Sequence, residues 1–177
     1  MVLRGPQLEG PGEVGVIERT LGSAGFSVEV HDRRTALEAV DEPLAALHVA
    51  AHGTFHREGW LLSGVQLADG WMGFEQLRRR CVAGALVYFA SCESGLTQES
   101  PGAELEGWLT AGLAAGAREL VLSLWKLDNA AAVAFAREFY PGWALGMSAA
   151  AAAALAREQV RRQAVHPYLW APFVTVG

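Results

Sequence analysis

Two short apolar runs, each ending in a polar residue close to a glycine, restrict this chain to few architectures. Residues 46–53 read Ala-Leu-His-Val-Ala-Ala-His-Gly, and residues 85–95 read Ala-Leu-Val-Tyr-Phe-Ala-Ser-Cys-Glu-Ser-Gly. Both have the length and the apolar continuity of strands buried on two faces. A third run, residues 119–125, leads into Lys126, Leu127, Asp128 and Asn129. Such strands alternating with helical patterns predict an α/β fold: a three-layer sandwich whose mainly parallel central sheet is flanked by helices. Parallel sheets of this kind bind ligands outside the carboxyl ends of their strands. His52, Cys92 and the segment after Trp125 are therefore expected along one edge.

An imidazole beside a thiol is the pairing that acyl transfer to sulfur requires. A thiol at its free pKa is only a few per cent thiolate at neutral pH, and a neighbouring His raises its nucleophilicity. Glycines at both strand ends let the backbone turn sharply and bring N–H groups toward the oxygen of a tetrahedral intermediate. Taken singly, each residue has a plainer reading: a Cys in an apolar run is usually core packing, and a His after a strand is usually solvated. The joint occurrence of His-Gly and Cys-x-x-Gly in one small chain favours the chemical reading.

The chain has 177 residues, of which 51% are hydrophobic, enough for one core and too few for two ordinary domains. With a net charge of −5 and no basic run longer than Arg78-Arg79-Arg80, it lacks a nucleic-acid footprint. Two cysteines, Cys81 and Cys92, do not make a disulfide framework and point to a reducing compartment. No apolar stretch is long enough to cross a bilayer and no leader pattern opens the chain, so the expectation is a cytoplasmic protein without membrane partners. No glycine-rich phosphate loop of the Walker or dinucleotide type occurs, and neither a metal nor a cofactor is expected.

In chain order, residues 1–12 read as a flexible or truncated N-terminal segment in which only Val2-Leu3 has strand character. Helices are expected over 13–22, over 32–40 with Thr35 as a cap, over 74–82, over 103–115, over 130–140 with Pro141-Gly142 closing it, and from Ser148 to about 163. Glu158 and Arg162 are spaced for an i,i+4 pair on the last of these. Residues 26–30 alternate like a strand, residues 60–70 like a small hairpin turning at Ala68-Asp69-Gly70, and residues 170–176 like an edge strand.

Four segments in this order carry a family likeness. They are Leu47-His48-Val49-Ala50-Ala51-His52-Gly53, then Phe89-Ala90-Ser91-Cys92-Glu93-Ser94-Gly95, then Ala115-Gly116-Ala117-Arg118 leading into Ser123-Leu124-Trp125, and last His166-Pro167 with Trp170-Ala171 and Phe173-Val174. With them the chain resembles the CHAT domain, a caspase-like family related to separase and often fused to tetratricopeptide repeats. The likeness runs from about residue 13 to 177, which would make that span the CHAT peptidase domain. It implies cysteine peptidase chemistry with Cys92 as nucleophile, His52 as general base and the N–H groups of Gly53 and Cys92 around the oxyanion. Separase-like members place acids after the Trp to hold a basic P1 side chain. Here Lys126 and Asn129 stand in that segment and Asp128 is the remaining acid.

The expected activity is thus a cysteine endopeptidase that cleaves a specific protein or peptide substrate through a thioester acyl-enzyme. Glu93, Gln98, Asp128 and Asn129 are candidates for the substrate pocket, with solvated loop positions as the plainer reading of each. Two rivals stand beside it: a silent CHAT-fold module that binds a regulatory or repeat-containing partner, and a small-molecule thiol amidase or thioesterase. The likeness leaves open a lone CHAT domain or a piece of a larger chain, in which case a regulator that switches the peptidase on is missing. The amidase or thioesterase needs an enclosed apolar pocket, against which the polar segments after His52 and Cys92 argue.

Overall fold

A computed structural model describes residues 1–6, 12–54, 64–78, 82–93, 103–125, 127–164 and 166–177. The chain runs β1 (Val2–Arg4), α1 (Gly12–Ser23), β2 (Val30–His31), α2 (Arg34–Glu38), β3 (Ala46–Thr54), β4 (Gly64–Leu67), β5 (Gly70–Gly73), α3 (Phe74–Arg78) and β6 (Leu86–Glu93). It continues with α4 (Ala103–Ala114), β7 (Glu119–Ser123), α5 (Asn129–Ala144), α6 (Ala149–Gln163), α7 (Pro167–Trp170) and β8 (Phe173–Val176). The sheet has the order β2-β1-β3-β6-β7-β8. Its first five strands are parallel and β8 is antiparallel to β7. The β4–β5 hairpin attaches antiparallel to the tip of β3, where Gly53 pairs with Val65 and Thr54 with Gly64.

Alternation along the strands divides the core in two. Val2, Ala46, Ala50, Leu86, Tyr88 and Val121 face a cluster shared with α1, α5 and α6. Leu3, Leu47, Val49, Val87, Phe89 and Leu122 face the opposite cluster, with Leu37 of α2, Leu77 of α3 and Trp108 of α4. Burial on both faces is why these strands read as apolar runs and not as alternating ones. This is the three-layer α/β sandwich with a mainly parallel sheet that the sequence predicts.

Four local readings change. Val2–Arg4 is an interior strand between β2 and β3, not part of a loose start, with Leu3 fully buried. Three residues suffice because both of its edges are paired, while the Pro and Gly around them dominate the composition; residues 7–11 lie outside the described ones. Residues 26–29 are not strand: Phe26 and Val28 pack on the core without ladder partners, and only Val30–His31 pairs. Helix α5 passes through Pro141 to Ala144. Proline forfeits one helical bond, but the turn beyond it is held by Trp143, buried against Phe26 at 5.6 Å, and by close packing at Gly142. A Cβ on Gly142 would lie 3.0 Å from Met147 Sδ.

The cap of α2 is also different. Thr35 does not cap it; Asp69, from the hairpin turn, accepts from the Arg34 and Thr35 N–H groups at 2.8 and 3.1 Å. Burial works against the carboxylate, but these N–H donors outweigh it and hold Asp69 below the ordinary carboxyl value of 3.8. Because the folded value is depressed, the stabilisation is complete above the unfolded value and is lost as pH falls through the folded one. Asp69→Ala should cost about 1 kcal/mol at neutral pH. Urea titrations at neutral pH and in acid would test this, the gap to wild type narrowing as acid protonates Asp69.

Other sequence features fall into place. Ser148 accepts from the Ala151 N–H at the start of α6, and Glu158 pairs with Arg162 at 3.2 Å and with Arg161 at 3.0 Å. Gly116 ends α4 with φ +85, a left-handed turn that glycine adopts without strain.

Candidate functional site

Strands β3 and β6 are sheet neighbours although a hairpin and a helix separate them in sequence. Their register holds a constant offset from Ala46↔Leu86 to Gly53↔Glu93, and within it His52 stands opposite Cys92. Adjacent strands lie about 4.8 Å apart, so the backbones of the two residues are side by side at the carboxyl edge. His52 is half-buried and lies, by alternation, on the same sheet face as His48 and Ala50. Gly53 follows in the last pair, between Glu93 of β6 and Val65 of β4. The predicted dyad positions and the glycine are thus brought together.

The pocket candidates are dispersed. Glu93 continues β6 as the backbone partner of Gly53, and Gln98 lies outside the described residues, as do Cys81 and Lys126. Asp128 is the N-cap of α5, its Oδ1 accepting from the Ala131 N–H at 3.1 Å. Asn129 is the exposed first residue of that helix. The only acid between Trp125 and α5 is therefore engaged in capping, a role its position just before a helical run would have suggested.

At the same edge, β7 ends beside β6. Its ladder with β6 closes at Phe89↔Leu122. Beyond that pair the Ser123 hydroxyl donates to the Ser91 carbonyl at 2.7 Å. Trp125 stacks on Tyr168 with centroids 5.9 Å apart and donates its Nε1–H to the Tyr168 carbonyl, so an aromatic pair borders this end of the sheet. Leu124, between Ser123 and that pair, is 41% exposed.

Below His52 on the same face lies a buried polar cluster. His48 Nδ1 shares a 2.7 Å hydrogen bond with the Tyr140 hydroxyl, and its Nε2 stands 3.4 Å from Glu13 Oε1, outside hydrogen-bond geometry. Burial first, and the Glu13 charge second, push the Tyr140 phenol well above its ordinary value. The phenol is thus neutral, and one assignment suits all three groups: Tyr140 donates to Nδ1 and the His48 proton sits on Nε2, facing the carboxylate. His48 is four positions from His52, roughly 13 Å along the strand, and belongs to the core, not the edge.

A cleft of about 1120 Å³ opens at the opposite, amino-terminal end of the strands, lined by Met1, Ala46, His48, Tyr140 and Trp143 among others. It does not include His52. Among the described residues, no three His, Cys, Asp or Glu side chains converge as a metal site would require. No described helix is long and apolar enough to cross a membrane.

Comparison with solved structures shows what this arrangement resembles. The Arg-specific cysteine proteinase gingipain R superposes with a TM-score of 0.62 at 11% sequence identity, over 99% of this chain and 44% of that one. The chain thus spans less than half the length of that proteinase, and the likeness is one of fold. Comparison with curated proteins gives no match. The CHAT domain model matches residues 6–177. With this match covering nearly all of its length and a caspase-like sheet beneath it, the chain belongs to the CHAT domain family.

Proposed function

We propose that the protein is a cysteine endopeptidase acting on a protein or peptide substrate. The observation that carries the reading is the register that puts His52 opposite Cys92 at the carboxyl edge of adjacent parallel strands. Cys92 sulfur attacks the scissile carbonyl while His52 takes the thiol proton. His52 then returns it to the leaving amine, the C–N bond breaks, and a thioester remains for water to hydrolyse. The N–H groups of Gly53 and Cys92 are the donors assigned to the tetrahedral oxygen. Both residues stand in the last pairs of the β3–β6 ladder, so this role requires those pairs to loosen when substrate binds.

Gingipain R is Arg-specific by its description, but that preference is not carried over. The Asp128 carboxylate caps α5, and no other acid follows Trp125 before that helix.

The test is the pH profile of Cys92 alkylation by iodoacetamide, read by mass spectrometry in wild type and His52→Ala. A thiol of ordinary pKa near 8.5 is about 0.3% thiolate at about pH 6, whereas one lowered by roughly two units beside an imidazolium is tens of per cent thiolate. The lower pKa weakens the nucleophile by close to tenfold, leaving a net advantage of about tenfold. Wild type should show that advantage at about pH 6 and lose it as pH rises and the imidazole becomes neutral. Equal rates in the two proteins throughout would refute a poised dyad and favour the binding module.

A further inference from the structure

Resting on that reading, we infer that Ser123 is a positioning residue, fixing the peptide unit that carries the nucleophile. The Ser91 carbonyl and the Cys92 N–H belong to one planar peptide. On the β3 side the position of Cys92 is set by its register with His52. On the other side the β6–β7 ladder has already ended at Phe89↔Leu122, and β7 turns toward β8, the Leu124 N–H donating to the Pro172 carbonyl at 2.7 Å. What reaches back to β6 is the Ser123 hydroxyl, 2.7 Å from the Ser91 oxygen.

The bond spans 32 residues of sequence and ends one peptide before Cys92. Its loss leaves the Ser91–Cys92 peptide held from one side only, free to tilt about its flanking dihedrals. A tilt there moves the Cys92 Cα relative to His52, and thiol–imidazole contact is steep in distance. Ser123 needs no contact with substrate to act in this way. Serine fits because its hydroxyl sits one carbon from the backbone and is half-buried at the end of the strand. Valine keeps the shape of threonine without the hydroxyl, which makes that pair the discriminating substitution.

The experiment alkylates Cys92 with iodoacetamide across pH in wild type, His52→Ala, Ser123→Thr and Ser123→Val. The sulfur displaces iodide, so one S–C bond forms as one C–I bond breaks. Ser123→Val should react about fivefold to tenfold more slowly than wild type at about pH 6, near the rate of His52→Ala. Ser123→Thr should keep the wild-type profile, and all four should converge at high pH, where the thiolate no longer depends on imidazolium. Ser123→Val tracking Ser123→Thr overturns the inference and leaves the dyad standing. Ser123→Val slow at every pH also overturns it, since that marks altered access and not a lost alignment. If wild type and His52→Ala already coincide, the dyad fails first, and the role of Ser123 falls with it.

Discussion

His52→Ala is expected to lower kcat/KM for peptide cleavage by about 10²–10⁴-fold, and Cys92→Ala to abolish it, with both variants folded as wild type. That range is what loss of a positioned general base typically costs; removing the nucleophile leaves no atom to acylate. Folding should survive His52→Ala because His52 is only half-buried at the strand end and belongs to neither core cluster, and Cys92→Ala removes a single sulfur atom. The measurement is release of new amino termini from a mixed peptide library, since the register fixes the pair but not the residue before the scissile bond. Cleavage at the wild-type rate in His52→Ala, or any cleavage in Cys92→Ala, would remove the dyad from the mechanism. Intact partner binding with no cleavage in wild type would identify the domain as a binding module.

Much of this edge is legible in the sequence, for a physical reason. Strands buried on both faces must be apolar throughout, so a polar residue near the end of such a run stands out; His52 and Cys92 do so on that ground alone, although β3 continues through the buried Gly53 to Thr54. What makes them neighbours is strand order, and the constant 46-to-86 offset between β3 and β6 is a tertiary fact that neither segment carries by itself. Ser123 was visible only as part of a motif, because a serine at a strand end reads as solvated and its partner lies 32 residues away. Asp69 reads as turn chemistry for the same reason; its N–H donors are 34 and 35 residues back, in α2. Glu13 reads as an acid suited to the first turn of a helix. Its burial to 7% exposure follows from what β3 places beneath it.

That burial leads to the largest stability effect expected here. Glu13→Ala should destabilise the fold by about 3 kcal/mol, measured by urea unfolding with tryptophan fluorescence. His48 is 1% exposed, with its Nε2 facing Glu13 and its Nδ1 already bonded to Tyr140. Removing the carboxylate takes away the group that the buried Nε2 faces at 3.4 Å and leaves a small cavity between α1 and β3. Glu13→Gln retains an acceptor of the same shape and should cost only about 1 kcal/mol. The cost belongs to the broken pair and not to polarity as such. Replacing the three groups together, Glu13→Leu with His48→Leu and Tyr140→Phe, removes the polar atoms that face one another and should return stability to within about 1 kcal/mol of wild type. If Glu13→Ala loses less than that, the three groups are not held as a unit. If the triple variant is no better than Glu13→Ala, the packing of α1 and α5 on β3, not the pairing of its polar atoms, sets the stability of this face.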